Sequence, residues 1–304
     1  MNVPKEALPN AKPVNKYLEF LACPYCKSDI SLNQEAKLRC FECNKVFEIR
    51  DNFPILLPSS LLKSADWQMW KDLDDKYQKF YRKDWSKKRY LASQFISEAF
   101  YDWIDLKDIR NVSLLDVGGG DGMGRVIYWR YPEKINYFNI DPQINFLHPF
   151  YSNLYPKIKK IDFPYIIGVG EYLPLKSNKF DISITTASLD HYCNPGQVFR
   201  EIFRCLKPKG KLFIMISKHR DLTKNNLGAR IFEYYQINGF FDLTKETIKR
   251  IFGLFFLKRG LDSNDHIHYF RSLEELIELL YMFKIIRIKE AKEGNQFYIE
   301  CLKE

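Results

Sequence analysis

The run LLDVGGGDGMG, from Leu114 to Gly124, constrains this chain more than any other stretch. Leu114, Leu115 and Val117 suit a buried parallel strand, and the acid Asp116 stands near its end. Gly118, Gly119, Gly120 and Gly122 follow at once, letting the backbone turn sharply and approach a ligand with no Cβ in the way. Arg125 to Tyr131 then reads as a helix, so strand, glycine loop and helix follow in the order of a nucleotide-side binding loop in an α/β fold. An ordinary glycine-rich turn is the competing reading, and four glycines within five residues, between a strand and a helix, argue against it.

Dinucleotide folds use a similar turn with the spacing G-x-G-x-x-G. That spacing is absent, because Met123 and Arg125 occupy the positions where the third glycine would fall. The chain instead reads D-x-G-x-G-x-G from Asp116 to Gly122, which resembles motif I of the class I S-adenosylmethionine methyltransferases. A doubly wound fold also places an acid at the end of its second strand for ribose hydroxyls, and Asp141, 25 residues after Asp116, closes the strand-like Ile135 to Ile140. Its two oxygens offer the paired acceptors that vicinal hydroxyls need. Capping of the helix after Pro142 is a compatible second role.

A later block, from Val169 to Ser217, resembles the type 11, or ubiquinone-biosynthesis-like, methyltransferases. Glu171, Leu173 and Pro174 match the acid-x-Leu-Pro turn after strand three, and Phe180 with Asp181 opens strand four. Asp190 and His191 end the element after that strand, and Arg204, Leu206, Lys207, Pro208 and Gly210 match the Arg-x-Leu-Lys-Pro-x-Gly helix stop. The resemblance implies an α/β, Rossmann-like, seven-stranded class I domain. It also implies S-adenosylmethionine contacts from Asp116, Gly118, Gly119, Gly120, Gly122, Asp141, Pro142, Gly170, Glu171 and Ala187. The chain departs from the pattern at Val169, where the family usually carries an aspartate for the adenine amino group; adenine recognition would then rest on the backbone near Gly170 and on Glu171.

Two C-x-x-C pairs, Cys23 with Cys26 and Cys40 with Cys43, stand thirteen residues apart near the N-terminus. Each knuckle aims two thiolates at one point, and a short hairpin brings two knuckles together into a tetrahedral four-sulfur zinc shell. Disulfides compete with this reading, but the cytosolic character of the chain opposes them. The flanking sequence from Lys16 to Pro58 resembles the small zinc-ribbon proteins that activate tRNA and release-factor methyltransferases. A shell closed by four cysteines leaves no position for substrate, so the metal is expected to be structural. Cys193, Cys205 and Cys301 stand alone and read as packing residues.

The expected organisation is a zinc ribbon with an N-terminal tail over 1–60, an aromatic helical linker or lid over 61–110, and a methyltransferase domain over 111–304 with an insertion at 218–265. The linker places Trp70, Leu73, Tyr77, Phe80 and Tyr81 at helical intervals, so these side chains read first as packing on the catalytic domain, while the family resemblance implies that one or two of Tyr77, Tyr81 and Trp85 line a substrate pocket. Strands are expected near Ser113 to Val117, Ile135 to Ile140, Tyr165 to Val169, Ile182 to Thr186, Lys211 to Ser217, Lys284 to Lys289 and Gln296 to Leu302. Helices are expected at Met123 to Arg130, Pro195 to Cys205 and Leu273 to Phe283. The last two strands read as an antiparallel hairpin at the sheet edge. The aromatic insertion follows strand five; its run IFGLFFLKR reads first as a buried helix completing a core, with a short interfacial membrane contact as the alternative, and its functional version is a lid that reaches over the acceptor site.

The family resemblance implies methyl transfer from S-adenosylmethionine to an oxygen or nitrogen of a small-molecule, lipid or saccharide acceptor, in a biosynthetic pathway. His191 is the candidate general base, because it follows strand four and imidazole titrates near neutrality; packing is the alternative role. His219, His266 and His268 are further options. A net charge of +9 and the attached ribbon raise RNA as the second acceptor class. The positive residues are spread along the chain, however, and TTASLDHY after strand four contains no adenine-type D/N-P-P-Y or 5-methylcytosine-type cysteine motif. A non-catalytic binding protein is the third reading, opposed by the intact glycines and Asp141. No stretch has the apolar length of a membrane span, and the N-terminus lacks a signal-like apolar core, so a cytoplasmic location is expected. The oligomeric state is left open by the sequence.

Overall fold

The protein is described from a computed structural model covering residues 13–50, 52–64, 67–68, 99–104, 106, 110–120, 135–142, 163–217, 273–291 and 296–304. The expected helix at 123–130, most of the aromatic linker and the insertion at 218–265 lie outside the described residues.

Near the N-terminus, β1 (Ile30–Leu32), β2 (Leu38–Cys40) and β3 (Val46–Phe47) form a small antiparallel sheet, followed by the two-stranded pair β4 (Ile49–Arg50) and β5 (Phe53–Pro54). The turn between β1 and β2 is closed by Asn33, whose side-chain oxygen accepts from the amides of Glu35 and Lys37 at 3.0 and 2.8 Å. This use of a short amide side chain in place of a ladder bond is what makes asparagine a turn former.

The body is one seven-stranded sheet built from β6 (Val112–Val117), β7 (Ile135–Asp141), β8 (Tyr165–Ile167), β9 (Phe180–Thr186), β10 (Leu206–Ser217), β11 (Lys284–Glu290) and β12 (Gln296–Leu302). The order across the sheet is β11-β12-β10-β9-β6-β7-β8. Strands β6 to β10 run parallel, and β12 lies antiparallel to both β10 and β11. This is the expected Rossmann-like sheet with its terminal hairpin; β10 starts five residues earlier than the sequence pattern suggests and shifts register between Leu206 and Lys211.

Alternation along the strands sorts side chains into two cores. Leu115, Val117, Phe138 and Ile140 face one core, with Val198, Phe199 and Ile202 of α1 (Pro195–Cys205) and Leu276 of α2 (Leu273–Leu279). Leu114, Tyr137, Tyr165, Ile182 and Phe213 face the other, with Phe100, Tyr101 and Ile104. Asn194 caps α1 by accepting from the Gln197 amide at 3.0 Å, and Pro195 occupies the first turn, where a missing N–H costs nothing. Arg204 near the helix end reaches the carbonyls of Leu175 and Leu173 at 2.7 and 3.1 Å, which ties α1 to the turn after β8.

The N-terminal sheet is part of this architecture. Val14, Tyr17, Leu21, Leu38, Phe47 and Leu56 are buried in the same core as α1 and β6. The Phe20 ring packs tilted against Phe138 with centroids 4.5 Å apart, the amide of Ala22 donates to Pro174 O at 2.9 Å, and that of Leu56 donates to Ile167 O at 2.8 Å. Leu21 and Ile55 form single bridges to Leu175 and Ile167, so the segment runs along β8 and the turn beyond it.

Candidate functional site

Parallel register brings the strand ends to one rim. Val117 pairs with Ile140, Asp141 with Ile167, and Thr186 with Met215, so the segments starting at Gly118, Pro142, Gly168 and Ala187 all leave the sheet on the same side. This is where ligands bind in open α/β sheets.

The glycine loop is fixed by a ladder of polar groups on one face of β7. Tyr137, Asn139 and Asp141 alternate along that strand. The Tyr137 hydroxyl donates to Asp116 Oδ2 at 2.6 Å, the Asn139 amide donates to Gly120 O at 3.2 Å, and Asp141 Oδ2 accepts from Gly120 N at 2.8 Å. Tyr165 on β8 also donates to Gly120 O, at 3.0 Å. Asp116 is only 1% exposed and sits beneath the loop, while Asp141 stands at the rim with Pro142 half-buried behind it.

Gly118 and Gly120 have φ of 70° and 53°, in the left-handed region that a side chain disfavours. The glycines also serve internal packing, which the ligand-approach reading of the sequence did not anticipate. A Cβ on Gly118 would overlap the Tyr192 hydroxyl and stand 2.7 Å from Ser188 Oγ; one on Gly119 would overlap Asn139 Oδ1 and stand 2.6 Å from Asp116 Cγ. Gly122 lies outside the described residues.

On the neighbouring strand ends, Gly170 is buried and opens a short helical turn, Gly170–Tyr172, while Glu171 accepts the amide of Asn194 at 3.3 Å. Val169 is buried in the second core with Ile167 and Tyr165, so the side chain at this position packs inward. Ala187 is exposed at φ 50°, its amide donating to Met215 O at 2.9 Å. A non-glycine residue in that region costs about 1–3 kcal/mol, an expense concentrated at functional rims. His191 ends the turn Leu189–His191 directly after β9 and is half-buried, with its amide on Ser188 O at 3.0 Å. The side chain of Asp190, and all of His219, His266, His268, Tyr77, Tyr81 and Trp85, lie outside the described residues.

The sulfur atoms of Cys23, Cys26, Cys40 and Cys43 all lie within 4.8 Å of one another, with Cys23–Cys43 at 3.5 Å and Cys26–Cys40 at 3.4 Å. A tetrahedral zinc with Zn–S near 2.3 Å separates its sulfurs by about 3.8 Å, so this cluster fits the ion. Each knuckle closes with a left-handed residue immediately after its second cysteine, Lys27 at φ 64° and Asn44 at φ 56°. Hydrogen bonds from Ser28 hold the Cys26 thiol down at about 6, whereas burial pushes Cys23 up to about 12. Bound zinc deprotonates its thiol ligands outright. Burial likewise raises Cys205 and Cys301 to about 12, as expected of packing thiols.

Several residues around the site were missed by the sequence reading. Tyr137 and Asn139 carry a signal, since polar groups recurring every second residue toward Asp141 mark one strand face. Ser188, Tyr192 and Lys27 carry none that spacing reveals. Among the described residues no helix is long and apolar enough to cross a membrane.

The sequence matches the family described as "Methyltransferase domain" over residues 115–214 and the family described as "Trm112p-like protein" over residues 15–52. Thiol S-methyltransferase TMT1B of Mus musculus is 30% identical over 139 residues, which are 44% of this chain and 51% of that protein. The chain thus spans about half the length of the curated methyltransferase relative it matches. A UPF0434 protein of Nitrosococcus oceani is 42% identical over 43 residues, 14% of this chain and 73% of that protein. Among solved structures, a SAM-dependent methyltransferase, possible histamine N-methyltransferase, of Thermotoga maritima is 16% identical, with a TM-score of 0.43, covering 78% of this chain and 100% of that one. The matched segments coincide with the four-cysteine ribbon and the strands β6 to β10, and the chain therefore joins a Trm112p-like zinc ribbon to a methyltransferase domain.

Proposed function

We propose that the protein transfers a methyl group from S-adenosylmethionine to a small-molecule acceptor. The observation that carries this reading is the contact between Gly120 N and Asp141 Oδ2, which joins the glycine loop to the acid at the rim. The buried Asp141 carboxylate suits a ligand that presents hydroxyls, and the residues assigned to its cofactor are Asp116, Gly118, Gly119, Gly120, Gly122, Asp141, Pro142, Gly170, Glu171 and Ala187. Of these, Asp116 lies against Gly119 and accepts the Tyr137 hydroxyl, and Glu171 also holds the start of α1. When bound, S-adenosylmethionine supplies an electrophilic methyl on a sulfonium sulfur. What this chain's residues then contribute is alignment of the acceptor, exclusion of water and, for a protonated acceptor, a base. His191, at the end of β9, is assigned that role.

The mouse relative is named a thiol S-methyltransferase, which supports a small molecule and adds sulfur to oxygen and nitrogen as the receiving atom. The Trm112p-like match favours one second reading, RNA as acceptor with the ribbon contributing to its recognition. Incubation of zinc-loaded protein with methyl-labelled S-adenosylmethionine and fractionated cell extract tests both. Label in the small-molecule or lipid fraction supports the first reading, label in RNA alone replaces it with the second, and absence of S-adenosylmethionine binding in calorimetry removes both.

A further inference from the structure

Tyr192 is buried between two loops that belong to different strands. A Cβ on Gly118 would overlap its hydroxyl, and a Cβ on Gly170 would come within 3.1 Å of its ring carbon Cε1. One side chain therefore touches the glycine loop after β6 and the turn after β8 at positions where neither has a side chain. Its hydroxyl lies 3.3 Å from Ser188 Oγ, which is 2.8 Å from Thr185 Oγ1 and donates to Val117 O at 3.2 Å. The chain of three hydroxyls runs from the end of β9 to the end of β6. We infer that Tyr192, braced by Ser188, is a positioning residue that sets the spacing between the Gly118–Gly120 loop and the Gly170 turn, and so the width of the cofactor cleft.

The physical reason for a tyrosine here is twofold. The flat ring fills the gap left by Gly170 together with Val198 of α1, whose two methyls would lie 3.0 Å from a Cβ there, and the hydroxyl gives the far end a polar anchor that phenylalanine lacks. Burial first, and the negative charges of Glu171 and Asp141 in addition, hold the phenol above its ordinary range, while Ser188 and Thr185 pull the other way. The group therefore stays protonated and serves as a fixed dipole rather than as a base. Lost anchoring would let the loop and the turn fluctuate independently, loosening both walls of the cleft without removing any group that touches the acceptor.

This inference rests on the cofactor reading above, and the experiment separates the two. Tyr192→Phe and Ser188→Ala are compared with wild type, singly and together, by calorimetry with S-adenosylmethionine and by amide hydrogen exchange in the ligand-free protein. Each single change is expected to weaken binding roughly tenfold, with the double variant no worse than about the weaker single one, because both act through one relay. The amides of Gly118, Gly120 and Tyr172, which donate to Ile140 O, Asp141 Oδ2 and Val169 O, are expected to exchange faster in every variant. Unchanged exchange in either loop, or losses that add independently, overturns the strut. Faster exchange in a protein whose wild type binds no S-adenosylmethionine leaves the strut standing and removes the cofactor reading. Ser188→Ala keeps the test open if Tyr192→Phe fails to fold.

Discussion

Lys27 of the first cysteine knuckle places its ammonium 2.7 Å from Glu201 Oε2 on α1, and Arg204 meets the same oxygen at 2.9 Å. The Glu201 side chain is only 7% exposed, so among the described residues the ribbon supplies one of the two cations that neutralise a carboxylate buried in the body. Lys27 also donates to Leu173 O at 3.2 Å, one residue beyond the turn that begins at Gly170. The metal knuckle, α1 and the turn after β8 thus share a single polar contact.

Replacing Lys27 with Met is expected to destabilise the full chain by about 1–3 kcal/mol, since a buried acceptor loses a charged donor while Arg204 remains. Urea unfolding monitored by fluorescence measures the change. An unaltered midpoint would mean that Arg204 alone satisfies Glu201.

Removing zinc is expected to affect more than the ribbon. Structural zinc contributes about 10–16 kcal/mol of apparent binding free energy in isolated finger peptides at neutral pH, and here the ribbon's core is continuous with that of the sheet. Chelation, or Cys23→Ser, should release the metal and lower the melting temperature of the whole chain. Metal analysis beside a calorimetric melt checks both parts, and undiminished zinc in Cys23→Ser counts against the four-cysteine site.

Gly120→Val and Asp141→Ala should each weaken S-adenosylmethionine binding by about tenfold or more. Valine is strained at φ 53°, and alanine at 141 leaves the Gly120 amide without its carboxylate. Titration calorimetry reads the affinity, and circular dichroism should still find a cooperative fold with zinc retained. Global unfolding in place of weakened binding would make these residues structural.

Glu300 gives a pH dependence with a definite sign. Burial pushes its carboxyl up, but hydrogen bonds and charges from Lys211 at 2.8 Å and Arg287 at 2.5 Å outweigh that, leaving it below its ordinary value of 4.5. The unfolded chain then binds this proton more readily, so the contribution is present above 4.5 and is lost as the pH falls through the lower folded value. Both cations are nearly half exposed, so solvent screening keeps the effect small. Melts from mildly acidic to strongly acidic pH should show a shallower loss in Glu300→Gln than in wild type.

Much of the fold was legible because its signals are local. The apolar run at Leu114 to Val117, the glycines after it and the Pro195 start of α1 each follow from backbone freedom or periodicity within a few residues, and the Arg204 to Gly210 stop of α1 was expected from the family motif. The cysteine spacing likewise sufficed to place four sulfurs around one point. Register across strands was not legible: nothing near Gly118 announces that Ser188 and Tyr192, seventy residues later, occupy the space of its missing Cβ.

The sequence by itself determined the strand ends, the glycine turn and the paired cysteine knuckles, since each is written in residues close along the chain, while the strand order and the rim acid were expected from the family resemblance. Only the tertiary structure decided that the ribbon and the sheet share one core, that Lys27 meets Glu201, that Asp116 lies beneath the loop while Asp141 stands at the rim, and that Tyr192 spans two loops. Those relations depend on parallel pairing and packing between segments far apart in the chain, where distance along the sequence carries no information about distance in space.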